Sequence, residues 1–105
     1  MFAVIYRAYI KPGLEEDYQK LWKQIANYFV QHRGAIGSCL HKTEDGIWLA
    51  YSRWPNKATW NSTWSQDNYN DLPVSIVDAI IKMKKCFDSE RIFPEICMDV
   101  MENLF

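Results

Sequence analysis

Residues 2 to 10, FAVIYRAYI, alternate in the manner of a β-strand, and neither face of that strand is hydrophilic. Phe2, Val4, Tyr6, Ala8 and Ile10 fall on one side, and Ala3, Ile5, Arg7 and Tyr9 on the other. Such a strand needs cover above and below. The first face is the more apolar and suits packed helices. The second still carries Ile5 and Tyr9 and requires a further layer.

The rest of the chain supplies partners for this strand. KPG at 11–13 stops it. Leu14, Tyr18, Leu21, Trp22, Ile25 and Phe29 then form one helical stripe over residues 14 to 32. Glu15, Glu16 and Asp17 lie in the first turn of that helix, His32 and Arg33 at its end, and Gly34 just beyond, an order that suits the helix dipole and a glycine stop. AIGSCLHKT (35–43) and IWLAYSRW (47–54) flank the turn signal EDG and read as an antiparallel hairpin. Pro55 ends the hairpin, and Asn56 is placed to cap a short helix over 57–65. SQDNYND reads as a loop. Pro73 opens a second long helix with the stripe Ile76, Val77, Ile80, Met83 and Phe87. DSERIFP returns the chain, and EICMDVM alternates as a last strand. The tail ENLF is apolar enough to dock.

The order is β-α-β-β-α-β, a ferredoxin-like α+β arrangement in one domain spanning 1–105. It implies a four-stranded antiparallel sheet with helices on one face. The bare face predicts a homodimer that packs sheet on sheet.

Composition excludes several classes. A net charge of -1 with unclustered Lys and Arg argues against a nucleic-acid surface, and KMKK at 82–85 reads as a solvated helix edge. No apolar run is long enough to span a membrane, and the amino terminus reads as a strand rather than a signal peptide. Cys39, Cys86 and Cys97 are widely spaced, form no ligand pattern with His, and read as reduced thiols in the cytoplasm; no metal site is expected. Asn61-Ser62-Thr63 matches a glycosylation sequon, which without a secretion signal reads as coincidence.

Aromatics make up 15% of the residues, and three of the five tryptophans fall in SRWPNKATWNSTW, residues 52–64. Together with KPGLEEDY at the first helix and YSRWPNKATW after the third strand, the order of elements resembles the antibiotic biosynthesis monooxygenase (ABM) superfamily. That resemblance implies a dimeric α+β barrel with a pocket between sheet and helices. In some members it implies oxidation of hydroxyarenes or quinols by O2 with no metal or flavin, and in others haem degradation. The haem-degrading branch carries an Asn on strand one, a Trp after strand three and a His ten residues further on. Here those positions are Tyr6, Trp60 and Asn70, so two of three depart. The cofactor-free branch places Asn and Trp four residues apart, as Asn56 and Trp60 are. An amide there could bond a phenolate or a developing peroxide, and an indole could hold the ring.

Each candidate also has a plainer use. Trp60 and Trp64 share a helix face and serve equally as core or as pocket wall. Trp54 is extended before Pro55, on the strand face that carries Trp48, where packing is expected. Asn56 could be only a helix cap. Tyr6 could make a structural hydrogen bond, or orient substrate and move a proton. His41 is a possible base, though a surface or dimer-face histidine is the plainer reading, and Cys39 reads as a small core residue. Arg7 and Arg53 suit ion pairs or surface charge. The expectation is a cofactor-independent monooxygenase acting on a small aromatic substrate, with Tyr6, Asn56 and Trp60 in chemistry and Trp54 and Trp64 binding the substrate. The alternative is a non-enzymatic ligand-binding or structural dimer of the same fold.

Overall fold

A computed structural model describes residues 1–104. Strand β1 (Phe2–Ile10) leads to helix α1 (Glu15–His32), then β2 (Gly37–Lys42) and β3 (Trp48–Trp54). Three helices follow, α2 (Lys57–Thr63), α3 (Gln66–Asn70) and α4 (Val74–Lys85), and the chain closes with β4 (Phe87–Ile92) and β5 (Ile96–Asp99). The sheet is antiparallel in the order β2-β3-β1-β4, and β5 also pairs with β1. This is the expected α+β ferredoxin-like fold with one more strand and one more helix.

The extra strand arises because the fourth edge is broken. β5 pairs with Phe2–Ile5 and β4 with Ala8 and Ile10, so the two lie end to end along β1. Phe93, Pro94 and Glu95 form the break, and Pro94 has no amide hydrogen to continue the ladder. A second irregularity falls between Ala8 and Ile10. Phe87 belongs to β4 rather than to the helix stripe, and DSERIFP, read as a return loop, contributes most of β4. Asp88, Ser89, Glu90 and Arg91 give no alternation because an edge strand has little to bury. SQDNYND, also read as a loop, holds α3, a single turn whose cap, Ser65, accepts from the Asn68 amide at 3.3 Å.

The helices cover the face of Phe2, Val4 and Ile10. These pack with Ile25, Phe29, Trp54, Ile76 and Ile80 in one cluster and with Tyr18, Trp48 and Cys86 in another. Trp48 packs as expected, its ring 5.5 Å from Tyr18. Cys39 does not. It is exposed on the opposite face, because its register partner Tyr51 also points away from the helices. Ile5, Tyr9, Leu49 and Tyr51 are half-buried on that second face, and Ile96 is exposed beside them. In the tail Met101 and Leu104 are exposed, and Phe105 lies outside the described residues.

Gly34 ends α1 with φ +82°, and an added Cβ would lie 3.1 Å from Thr59 Cγ2. The glycine therefore serves both the left-handed turn and the close approach of α2. Gly34→Ala is expected to lower stability by about 1–2 kcal/mol, read as a shift of the urea midpoint at unchanged slope.

Candidate functional site

The β1 and β3 residues facing the helices do not fill the space beneath them. Ala8 and Ala50 are small, and Ser52 is short. A cavity of about 540 Å3 remains between the sheet, α1, α4 and β4. This lies within the range of small-molecule sites.

One end of the cavity is aromatic. Phe29 sets its ring edge-on to Trp64 at 5.3 Å and lies 6.4 Å from Trp54. The Trp54 indole N–H donates to Ser52 Oγ at 3.1 Å, which ties the ring to its own strand. Tyr6 also faces this end, and its oxygen accepts a hydrogen bond from Trp60 Nε1 at 2.9 Å. Burial raises the Tyr6 phenol above its ordinary value, while the indoles of Trp60 and Trp64 act the other way. Tyr6 is 37% exposed and lines the cavity, which is open to solvent on one side. The phenol is neutral near pH 7 and keeps its own proton, for which no acceptor exists among the described residues.

Tyr18 supplies the second phenol. Its ring is held edge-on by Trp48 and by Phe87, 5.8 Å away, and its hydroxyl has no hydrogen-bond partner among the described residues. Burial, with a smaller contribution from the Cys86 thiol, pushes it up from 10.0 to about 12. Ionisation is thus harder in the folded state than in the unfolded chain. The stability linked to Tyr18 is complete below pH 10.0 and is lost as pH rises toward about 12. The loss should reach about 2–3 kcal/mol. Urea midpoints measured between these pH values check this, with Tyr18→Phe giving the flatter profile.

Of the sequence candidates, Tyr6, Trp54 and Trp64 line the cavity. Trp60 does not line it. It packs on Phe2 at 5.7 Å and reaches the site only through the Tyr6 oxygen. Asn56 does not line it either. Its Oδ1 accepts from the Thr59 amide at 2.8 Å and from the Thr59 hydroxyl at 2.9 Å, which is a helix cap. Neither histidine is at the cavity. His41 is exposed on the other sheet face, and His32 stacks on Tyr28 at 4.7 Å beside a separate surface cleft. Sequence reading missed Tyr18, Trp22, Phe29 and the cations Arg7, Lys84 and Arg91 as wall residues. The one available signal was Tyr18 within a core stripe, since a buried phenol needs somewhere to place its hydroxyl. Among the described residues, no three His, Cys, Asp or Glu side chains gather to hold a metal ion.

The sequence profile of antibiotic biosynthesis monooxygenases matches residues 1–69. The chain belongs to this family. It is similar in fold to a crystal structure of an antibiotic biosynthesis monooxygenase, with 14% identity, 97% of this chain and 100% of that chain covered, and a TM-score of 0.71. It is also similar to SnoaB, a cofactor-independent oxygenase from Streptomyces nogalater, at 10% identity, 98% and 95% coverage, and a TM-score of 0.73. Rv0793 from Mycobacterium tuberculosis gives 13%, 99% and 98%, and 0.71. No curated protein matches the sequence. No helix among the described residues is long and apolar enough to cross a membrane.

Proposed function

We propose that this protein is a cofactor-independent monooxygenase that acts on a small hydroxyarene or quinol inside the cavity. The carrying observation is a 540 Å3 aromatic cavity with two neutral phenols, Tyr6 and Tyr18, whose protons lack acceptors among the described residues. A flat ring fits between Phe29, Trp54 and Trp64, and an oxygen on that ring accepts from Tyr6. The overall change is balanced without a reductant: the hydroxyarene and O2 give a quinone and water. One oxygen atom enters as the new carbonyl, and the other leaves with two hydrogens from the substrate. Oxygen reacts with the ionised arene, and the Tyr6 hydroxyl stabilises the negative oxygen that forms. Trp60 acts by positioning Tyr6, and Asn56 by holding α2 and so the Trp60 ring.

A second reading, ligand binding without chemistry, has its own support. Asp88 is the only carboxylate on the cavity wall among the described residues, and it is engaged by Arg91 Nε and the Glu90 amide, both at 3.0 Å. No histidine stands in for it, so the wall offers no free base. The two readings separate on O2 uptake with a panel of hydroxyarenes and quinols. Uptake above autoxidation that falls in Trp60→Ala and Asn56→Ala, with the fold intact, is expected for the oxygenase. Binding with no uptake favours the second.

The working unit in this proposal is a cytoplasmic homodimer of the 1–105 domain, closed through Ile5, Tyr9, Leu49 and Tyr51. Light scattering at low micromolar concentration should give about twice the 12.4 kDa chain mass. A monomer peak would remove the dimer from the proposal.

A further inference from the structure

The cavity's polar groups are unequal in kind. The Ser52 hydroxyl donates to the Val4 carbonyl at 3.5 Å and Ser38 to that of Tyr51 at 3.2 Å, so these two serine protons are committed, and the third serine of the wall, Ser89, adds a neutral hydroxyl. The Asp88 carboxylate is taken by Arg91, and each neutralises the other. Two cations remain. Lys84 lines the cavity with no ion pair among the described residues, whereas Lys82 on the same helix is held by Asp78 at 2.9 Å. Arg7 also lines it. Its guanidinium lies 5.0 Å over the Phe93 ring and gives one hydrogen bond, at 3.3 Å, to the Pro94 carbonyl at the break between β4 and β5. Its Nε is buried without a partner. The nearby Glu95 acts on Tyr6 but is not part of the cavity wall and forms no ion pair with Arg7.

We infer that the ligand is an aromatic carboxylate, its ring system among Phe29, Trp54 and Trp64 and its carboxylate toward Arg7 and Lys84. The chamber is rich in donors and poor in acceptors, so a ligand made of acceptors satisfies it. Two uncompensated positive charges beside an apolar wall select a negative one. A planar carboxylate matches the terminal N–H fork of the Arg7 guanidinium. The same charges favour the ionised form of a hydroxyl on the ring, which gives the wall a means of activating the arene without a base of its own. This assignment rests on the aromatic-binding reading proposed above and adds the charge of the ligand.

Isothermal titration calorimetry with 1-hydroxy-2-naphthoate, 1-naphthol and 1-naphthylmethylammonium tests it. The naphthoate is expected to bind about tenfold tighter than the neutral naphthol at low salt, as for two partly desolvated charge contacts, and the ammonium most weakly. Raising salt should weaken the naphthoate alone. Lys84→Met, at an exposed side chain, should weaken the naphthoate about three- to fivefold and leave the naphthol within about twofold. Arg7→Lys keeps the charge but loses the fork, and should weaken the naphthoate selectively as well. Naphthol binding as tightly as the acid, or both variants affecting the two ligands alike, would overturn the charge assignment and leave the aromatic site standing. No binding by any of the three would overturn both.

Discussion

Trp54→Ala is expected to remove about 3–5 kcal/mol of folding stability, the largest loss from any single truncation in this chain. Trp54 is 3% exposed and joins β3 to Phe29 of α1, and its indole N–H is spent on Ser52. A domain of this size holds about 5–15 kcal/mol in total, so the variant should unfold at low urea or fail to accumulate. Because the cavity already lies against this indole, the neighbours cannot collapse to fill the void, which puts the loss at the upper end. Trp54→Phe keeps most of the ring area and should lose less than half as much. Equal urea midpoints for wild type and Trp54→Ala would mean that this indole does not seal the core.

Tyr6→Phe should lower the turnover of a hydroxyarene substrate by about a hundredfold, as removal of a preorganised donor to a developing oxyanion does. The fold should survive, since the ring remains and only the bond from Trp60 is lost, worth about 1 kcal/mol. The decisive pattern is the split between kcat and KM. A donor that strengthens only as charge develops lowers kcat and leaves KM nearly fixed. Trp60→Phe should show a smaller fall in kcat, because it leaves the phenol in place but frees its orientation. If Tyr6 merely anchored Trp60, the two variants would lower the melting temperature alike and leave kcat unchanged.

The strands and long helices were legible because they bury whole faces. The alternation of residues 2 to 10 and the stripe from Tyr18 to Phe29 record that burial directly. β4 and α3 were not legible. Their polar residues sit at an edge and in a one-turn helix, where a ladder and a serine cap suffice without a periodic apolar set. The site was half legible for a related reason. Tyr6, Trp54 and Trp64 stand out by type, and the structure brings them to one wall. Asn56 and Trp60 have a suggestive spacing, but spacing along a helix does not say which neighbour each side chain meets. Arg7 was assigned to the second face by strict alternation. It lines the cavity because the broken edge opens a gap beside it, and a chain break of that kind leaves no periodic trace.

That broken edge also sets how the chamber can be filled and emptied. β4 holds β1 at only Ala8 and Ile10 on the register, while β3 holds it at seven successive positions from Phe2 to Ala8. The wall carrying Phe87, Arg91 and Phe93 therefore follows the strand with the fewest register positions on β1, two against four for β5 and seven for β3. It can part from the sheet at a fraction of the free energy of global unfolding, with the central strands and their aromatic floor left in place. Exchange of a bulky ring with solvent is then expected to run past β4, and amide hydrogen exchange should be faster in β4 than in β3.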